Sequence, residues 1–356
     1  MGCTCNEKGI LFEKFNEMKE NDNLYSLQEG NEKKDNGIKI YEGNKSEKYD
    51  YLNEKNKLRN SSFQTGLFNI ENLSLAILEK NNNDNQLIEI QTDKITENDF
   101  NELIAKYPEI NDDVRVEKRN PQEFINNKVI YYGEWKKNKN IRHGRGIQLW
   151  PEGAKYIGNW KNDKACGKGK LIHSDGDIYE GEWFNDKPNG FGIYIHLDGT
   201  KYEGEWKDDK QNGNGKETWS DGSQYEGQYK NGIKSGYGKF CWSDGAIYEG
   251  HFENNKINGE GTYIFPDKRK YIGSWADNKL EGNGLFIWPD GRKYEGEYKN
   301  DKKEGYGIFE WPDGKKYKGN WKDGKQEGEG EFYIPGKNEW KKGIWEDGNR
   351  IKWIEN

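Results

Sequence analysis

The amino-acid sequence predicts an all-β protein: an elongated, single-layer antiparallel β-meander of about nine hairpins, preceded by a partly disordered leader with short helices. The first observation behind this prediction is compositional. The 356 residues include 45 Gly and 50 aromatic residues but few aliphatic ones, which excludes a thick aliphatic core. The second is a pattern of aromatic residues and glycines that recurs at a 23-residue step. Such a period is typical of repeat arrays.

The composition divides the chain near residues 126–128. All 14 Trp and 39 of the 45 Gly lie after residue 130, so the repeating pattern belongs to the second part alone. The first 130 residues carry a net charge of -7, whereas the remainder is neutral. We therefore expect an acidic flexible leader at 1–66, a small α/β element at 67–127 and a repeat array at 128–356.

The element before the array contains two stretches whose apolar residues have helical spacing, 69–79 and 97–107. Thr96 is the expected N-cap of the second helix. Residues 87–90 and 114–116 are candidates for short strands. The apolar face of the second helix comprises Phe100, Leu103 and Ile104.

Each repeat begins with Tyr-x-Gly, and we count this Tyr as position 0. Position 2 is Gly, position 4 is aromatic, positions 11 and 13 are Gly, and position 17 is usually aromatic or His. Asp-Gly usually follows at positions 19 and 20. A degenerate tenth unit lies at 340–348. The nine regular units start at residues 131, 156, 179, 202, 225, 248, 271, 294 and 317.

This spacing predicts one β-hairpin per unit. Aromatic and glycine residues at positions 0, 2 and 4 alternate with polar ones, as in a half-buried strand. A polar stretch such as 161–164 joins the two strands, and Asp-Gly joins one unit to the next. Glycine inside strands is unfavourable unless a neighbouring ring covers it. We therefore expect the Tyr and Trp of each unit to cover the Gly-x-Gly of the next unit.

The repeat resembles the MORN repeat (membrane occupation and recognition nexus) over about 131–348. Tyr-Glu-Gly-Glu-Trp at 202–206, followed by Gly-x-Gly and Asp-Gly, matches that motif closely. Lys268 replaces a turn Gly, and Cys166 stands where a small or polar residue is usual. The resemblance implies a hairpin meander used as a scaffold for protein partners. It also implies phospholipid contact in some members and dimers formed through terminal repeats in others.

The N-terminus carries an acylation-like motif. Removal of Met1 exposes Gly2 for N-myristoylation, although Asn6 stands where Ser or Thr is usual. One myristoyl chain binds membranes only marginally (K of about 10⁴ M⁻¹), so a stable anchor needs a second membrane-binding signal. Cys3 and Cys5 are candidate palmitoylation sites. We therefore expect dual acylation at the cytoplasmic face of a membrane.

The partner-binding prediction rests on the aromatic side of the repeats, where a protein segment is expected to dock. For each ring the alternative is that it only stacks on glycine. Direct phospholipid binding by the repeats is less favoured, because anionic headgroups prefer basic clusters and the array is neutral. The candidate contacts are Trp206, Trp219, Trp242 and Trp288.

The sequence around these residues does not support an enzymatic function. Gly-x-Gly lies inside a predicted meander rather than before a helix, and Gly-Lys-Ser/Thr does not occur. His173 and His196 stand where other units have aromatic rings, so ring stacking explains them. Cys166 and Cys241 are interpreted as packed thiols. We expect no catalytic residue, metal, cofactor or nucleic-acid partner.

The sequence therefore predicts a non-enzymatic scaffold that tethers protein partners to a membrane through its acylated N-terminus. An alternative is a structural component of a cytoskeletal or ciliary assembly without a lipid anchor. A third class is a regulatory subunit of a lipid kinase or methyltransferase. The expected location is cytoplasmic and membrane-associated, or the ciliary or cortical cytoskeleton. A homodimer is compatible with the resemblance.

Overall fold

A computed structural model describes residues 95–110, 112–124 and 126–354. In these residues the chain forms helix α1 (Glu97–Lys106), a 3₁₀ turn (Pro335–Lys337) and a sheet of 21 strands. The strands are β1 (Val116–Phe124), β2 (Val129–Lys136), β3 (Arg142–Leu149), β4 (Lys155–Lys161), β5 (Lys164–Ile172), β6 (Ile178–Phe184), β7 (Lys187–Ile195), β8 (Lys201–Lys207), β9 (Lys210–Thr218), β10 (Gln224–Lys230), β11 (Ile233–Cys241), β12 (Ile247–Glu253), β13 (Lys256–Ile264), β14 (Lys270–Ala276), β15 (Lys279–Ile287), β16 (Lys293–Lys299), β17 (Lys302–Glu310), β18 (Lys316–Lys322), β19 (Lys325–Ile334), β20 (Glu339–Glu346) and β21 (Asn349–Trp353). Outside the described residues lie the predictions for 1–66, 69–79 and 87–90 and for Gly2, Cys3 and Cys5.

Every strand pairs antiparallel with the next strand along the chain, from β1 to β21. The predicted open meander of hairpins is therefore confirmed. The sheet also begins earlier than the repeats: of 114–116 only Val116 is in a strand, and this strand continues to Phe124. β1 adds to the free edge of the first repeat.

Two kinds of turn join the strands, and both use left-handed backbone. Inside most repeats, Asn and Asp occupy the two turn positions, as at Asn162 (φ 53°) and Asp163 (φ 69°). These residues tolerate φ > 0, and such turns match the twist of a hairpin. Between repeats, the Asp198 side chain accepts a hydrogen bond from the Thr200 N–H (2.8 Å). Lys268, in place of the usual Gly, takes φ 72° and keeps the turn.

The Tyr at position 0 of each repeat lies over the glycines of its own unit. The Tyr202 hydroxyl donates to the Glu205 carbonyl (3.0 Å), so the ring lies along its strand. Gly204 faces Gly215 on the next strand, and a Cβ added to Gly204 would lie 2.7 Å from the Tyr202 hydroxyl. Neither glycine could carry a side chain without displacing the ring.

The prediction that rings cover the glycines of the next unit is therefore wrong. The Tyr leans along its own strand over Gly at position 2, and the glycine at position 13 of the same unit is directly opposite. The Trp at position 4 reaches backward instead, and the Trp206 indole N–H donates to the Gly192 carbonyl of the preceding unit (3.2 Å). Strand register, which spacing alone does not specify, decides the direction.

The rings at positions 0 and 4 form a continuous row that replaces an aliphatic core. Each Tyr meets an aromatic residue of its own unit and one of the next unit edge-on; Tyr202, for example, lies 5.2 Å from both Trp206 and Tyr229. Such aromatic pairs contribute about 0.5–1.5 kcal/mol each beyond their buried area. The row runs from Tyr131 to Trp345 with centroid separations of 4.9 to 5.7 Å.

Helix α1 packs on the opposite side of the sheet. Its predicted N-cap is confirmed: Thr96 and Asp99 form a reciprocal capping box. Phe100 and Leu103 are buried in a cluster with Tyr132 and Ile147 of the first repeat. Ile104, which belongs to the predicted apolar face, is 40% exposed. We call this side of the sheet the second face and the side that carries the ring row the aromatic face.

Substitution of a glycine beneath a ring should destabilise the array. In Gly227→Ala the new Cβ would lie 2.6 Å from the Tyr225 hydroxyl and 2.5 Å from the Gly238 Cα. We expect a loss of about 2 kcal/mol, measured as a lower urea midpoint by circular dichroism. Gly336→Ala is the control, because a Cβ there meets nothing within 4 Å. Equal midpoints for the two variants would contradict this account of the glycines.

Removal of the buried α1 ring should release the helix while the array persists. Phe100 is 1% exposed, so Phe100→Ala should weaken helix docking by about 3 kcal/mol. Hydrogen exchange should then lose protection at 97–106 and retain it in β10–β18. Ile104→Ala, at a 40% exposed position, should leave both regions protected. Lost protection throughout the sheet in Phe100→Ala would show that the array depends on the helix.

Candidate partner-binding surface

The aromatic face carries a second line of rings near the Asp-Gly turns, which we call the outer row. It comprises the side chains at positions 15 and 17 of each unit, which lie beyond the Tyr on the same face. From Trp219 onward these rings form an unbroken chain with centroid separations of 4.3 to 6.5 Å, ending at Trp353. Most of this face is thus covered by rings that contact one another.

The structure places all four predicted contact residues on the aromatic face. Trp206 belongs to the ring row at positions 0 and 4, whereas Trp219, Trp242 and Trp288 belong to the outer row. Trp219 and Trp288 are only 8% and 5% exposed. Trp206 and Trp242 are half-buried, so they offer more surface to a partner. Each of the four also packs against neighbouring rings.

The outer row is interrupted in the unit that starts at residue 202, because position 15 there is Glu217. The Glu217 carboxylate accepts hydrogen bonds from the Tyr229 hydroxyl (3.0 Å) and from Lys234 Nζ (2.9 Å). The Glu217 and Lys234 side chains are only 14% and 16% exposed. The Lys234 ammonium also lies 4.9 Å from the Trp219 ring centroid, a cation–π distance. Burial and Glu217 together raise the pKa of Tyr229 well above its usual value.

A second polar group lies on the other side of this interruption. Asp177 accepts hydrogen bonds from the Tyr194 hydroxyl (2.9 Å), His196 Nδ1 (2.9 Å) and the Leu197 N–H (2.9 Å). Burial alone would raise the pKa of Asp177, but these hydrogen bonds and the His196 charge hold it below the usual value. The His173 and His196 rings lie 6.1 and 4.7 Å from the Tyr194 ring, so both occupy ring positions.

Together these groups form a polar segment of the mainly aromatic surface, which we define by Asp177, Tyr194, His196, Glu217 and Lys234. From the sequence, His196 was predicted only to replace an aromatic ring, and Asp177, Glu217 and Lys234 were not predicted to form a site. The sequence does contain a sign of this site, because Glu217 stands where most units have an aromatic residue. The arrangement offers ionic and hydrogen-bonding groups beside apolar rings, which suits recognition of a polar side chain in a partner.

Three further features of the described residues concern metal binding, membrane-spanning helices and disulfides. No group of three or more His, Cys, Asp or Glu is placed to hold a metal ion within those residues. None of the helices there combines the length and apolar character that a bilayer crossing requires. Cys166 and Cys241 are half-buried and are not joined in a disulfide.

Comparison with protein families identifies the repeat. The family model described as the MORN repeat matches nine consecutive segments, which together cover more than half of the chain. The chain belongs to the MORN repeat family. Members of this family are generally non-catalytic scaffolds. The matched segments are 131–155, 156–178, 179–201, 202–224, 225–247, 248–268, 271–291, 294–316 and 317–338.

Three solved structures that match this chain are distant likenesses. The SAS-4 TCP domain of Drosophila melanogaster, in complex with a proline-rich motif of Ana2, has a TM-score of 0.22 and 14% identity, covering 50% of this chain and 84% of that chain. The G-box domain of the microcephaly protein CPAP has a TM-score of 0.18 and 16% identity, covering 60% and 99%. A streptogramin B lyase has a TM-score of 0.14 and 12% identity, covering 67% and 86%. These TM-scores support no inference about this chain. No curated protein sequence matched it.

The polar segment should make stability depend on pH through Asp177. Its pKa is lowered in the folded state, so the carboxylate stabilises the fold above its unfolded pKa of about 3.9 and stops doing so as the pH falls through the folded value. Asp177→Asn should therefore lower the free energy of unfolding by about 1–2 kcal/mol near neutral pH. The difference from wild type should shrink below about pH 4.

Thermal melting across this pH range measures the effect. Asp208→Asn is the matched control, because Asp208 is an exposed turn residue whose left-handed backbone also suits Asn. We expect this control to follow wild type at every pH. An Asp177→Asn variant that melts like wild type near neutral pH would show that the hydrogen bonds to Asp177 do not stabilise the fold.

Proposed function

We propose that this MORN repeat protein is a protein-binding scaffold that holds a partner at the cytoplasmic face of a membrane. In this proposal the aromatic face binds the partner and acyl chains on the N-terminus bind the bilayer. The observation that carries the proposal is the aromatic surface of the matched repeats and the polar segment that interrupts it around Glu217. An extended surface of aromatic rings beside polar groups favours recognition of a protein partner.

The partner is proposed to dock where ring exposure and polar groups coincide. Trp206 is half-buried and lies 6.1 Å from Tyr194 of the polar segment, so an apolar side chain could pack on its indole. A neighbouring polar group of the partner would reach His196, whose side chain is 39% exposed. Trp219 and Trp288 contribute mainly by keeping the outer row in place, because little of either side chain is accessible. Aromatic anchors beside polar groups are typical of protein interfaces.

The membrane part of the proposal rests on Gly2, Cys3 and Cys5 in the acidic leader. Two acyl chains would supply the stable binding that one chain lacks. The charges of the array support this division of roles, because lysines on the second face stand beside carboxylates. Lys216 and Lys239, for example, each lie 3.9 Å from a Glu of the adjacent strand. Lysines paired in this way attract anionic headgroups weakly.

Acylation is tested by fractionating cells that express the tagged full chain. Wild type should be found with membranes and carry acyl adducts by intact-mass spectrometry. Gly2→Ala should lose both, and Cys3→Ser with Cys5→Ser should shift most of the protein to the soluble fraction, because a single myristoyl chain binds only marginally. Wild type without adducts, or Gly2→Ala that stays with membranes, would overturn the anchor. Retention in a detergent-insoluble fraction would instead favour the cytoskeletal alternative.

Partner binding is tested separately in the same cells. Quantitative mass spectrometry of crosslinked immunoprecipitates should show at least one protein lost from Trp206→Ala and retained by wild type. Trp340→Ala is the matched control, because Trp340 is 42% exposed but lies outside the nine matched repeats. If Trp206→Ala and Trp340→Ala retain the same proteins as wild type, the aromatic face is not the docking surface. This result would leave the acylation test unaffected.

A further inference from the structure

An exposed apolar strip lies on the second face of β7, on the side of the sheet away from the aromatic rings. Phe191, Ile193 and Ile195 alternate along the strand, and Leu197 continues the line into the turn. Phe191, Ile195 and Leu197 are 53%, 39% and 63% exposed. At the equivalent positions the next repeat has Asn, Lys, Thr and Ser, so the strip is not a requirement of the repeat itself. Contiguous exposed apolar side chains usually mark an interaction site.

Apolar residues of β6 and β5 lie beside the strip and widen its apolar surface. Ile195 is paired with Ile178 of β6, and Ile178 is paired with Ile172 of β5. Ile172 and Ile178 are half-buried. The apolar surface therefore crosses three adjacent strands, wide enough for one face of a helix.

This surface begins where helix α1 ends. The α1 side chains Phe100 and Leu103 pack on Tyr132 and Ile147 at the start of the sheet. The C-terminal end of the helix reaches β6, where Lys106 Nζ lies 2.7 Å from a Glu180 carboxylate oxygen. Ile193 of β7 is the cross-strand partner of Glu180. The strip is thus continuous with the surface that already binds a helix.

Carboxylates lie on both sides of the strip. Ile193 stands between Glu180 of β6 and Glu203 of β8, which are paired with Lys106 and Lys201. Nearer the start of the strand, Glu205 is the cross-strand partner of Phe191. Glu182 lies on β6 beside this line, and its carboxylate accepts a hydrogen bond from the Phe191 N–H (3.3 Å). Glu182 and Glu205 remain exposed. The acidic part of the strip is therefore the end at Phe191, where Glu182 and Glu205 flank the ring.

We propose that the β7 strip binds a basic amphipathic helix of a partner protein, in line with α1. Apolar side chains of that helix pack on Phe191, Ile195 and Leu197, and its lysines or arginines pair with Glu182 and Glu205. Helix α1 binds the sheet in the same way, with apolar residues against the strands and Lys106 on Glu180. A second copy of this chain fits poorly, because two identical strips would bring like charges together. This site goes beyond the proposed function, which assigns partner binding to the aromatic face.

The site is tested on the full chain with a fluorescent helical peptide of about 18 residues, five turns, carrying Leu on one face and Lys on the other. Anisotropy should show binding that Phe191→Ser weakens by about tenfold. Tyr237→Ser is the matched control, because Tyr237 is 51% exposed at the equivalent position two repeats later. It should bind the peptide like wild type. Both positions are exposed, and equal unfolding midpoints verify that the variants are folded.

The charge of the partner is tested with a second peptide in which Glu replaces every Lys. This acidic peptide should bind at least about tenfold more weakly. Glu182→Gln combined with Glu205→Gln should weaken the basic peptide and flatten the salt dependence of its binding. Equal binding of both peptides, or equal binding of the basic peptide to Phe191→Ser and wild type, would overturn the proposal.

Crosslinking identifies the occupant directly. A photoreactive benzoylphenylalanine in place of Phe191 should crosslink to the basic peptide, and excess unlabelled peptide should suppress the product. A crosslink to a second copy or within the same chain that persists in excess peptide would show that the protein itself occupies the strip. Either of these results would overturn the assignment to a partner helix.

Discussion

The tyrosine at the start of each repeat makes the contact on which the rest of the sheet depends. Its ring lies over two glycines that face each other on adjacent strands, and its hydroxyl donates to a carbonyl three residues later, as Tyr202 does to Glu205. The missing side chains make room for the ring, and the ring covers backbone that water would otherwise reach. Because each ring also touches an aromatic residue of the next repeat, neighbouring units stabilise one another.

This contact leaves the two faces of the sheet with different chemistry. The aromatic face carries rings that every repeat supplies, and at Glu217 and Lys234 an ion pair replaces ring contacts in its outer row. The second face has no such requirement, and its side chains vary from repeat to repeat. There α1 packs on Tyr132, while farther along the sheet β7 exposes Phe191. A single-layer sheet thus combines one face that repeats along the chain with one face whose side chains vary between units.

Much of the fold can be predicted from the sequence because its determinants are local. The hairpins follow from alternation over a few residues, and the start of α1 follows from Thr96 and Asp99 within one turn. The extent of β1 beyond Val116 could not be predicted, since its exposed residues lack an apolar alternation and include Pro121. β1 forms because its backbone pairs with the hydrogen-bonding groups that β2 would otherwise leave free at the edge of the sheet. The direction in which rings cover glycines also depends on strand register, which spacing leaves open.

By itself, the sequence determined that this chain is an array of MORN repeats with aromatic rings on glycine-bearing strands, because the period of those residues contains that information. Only the tertiary structure decided which side chains share a surface. Glu217 meets Lys234 from the next hairpin, and α1 ends beside the strand that precedes the β7 strip. Such contacts join residues that are distant in sequence, and they arise from the register between strands and from helix packing rather than from any local pattern.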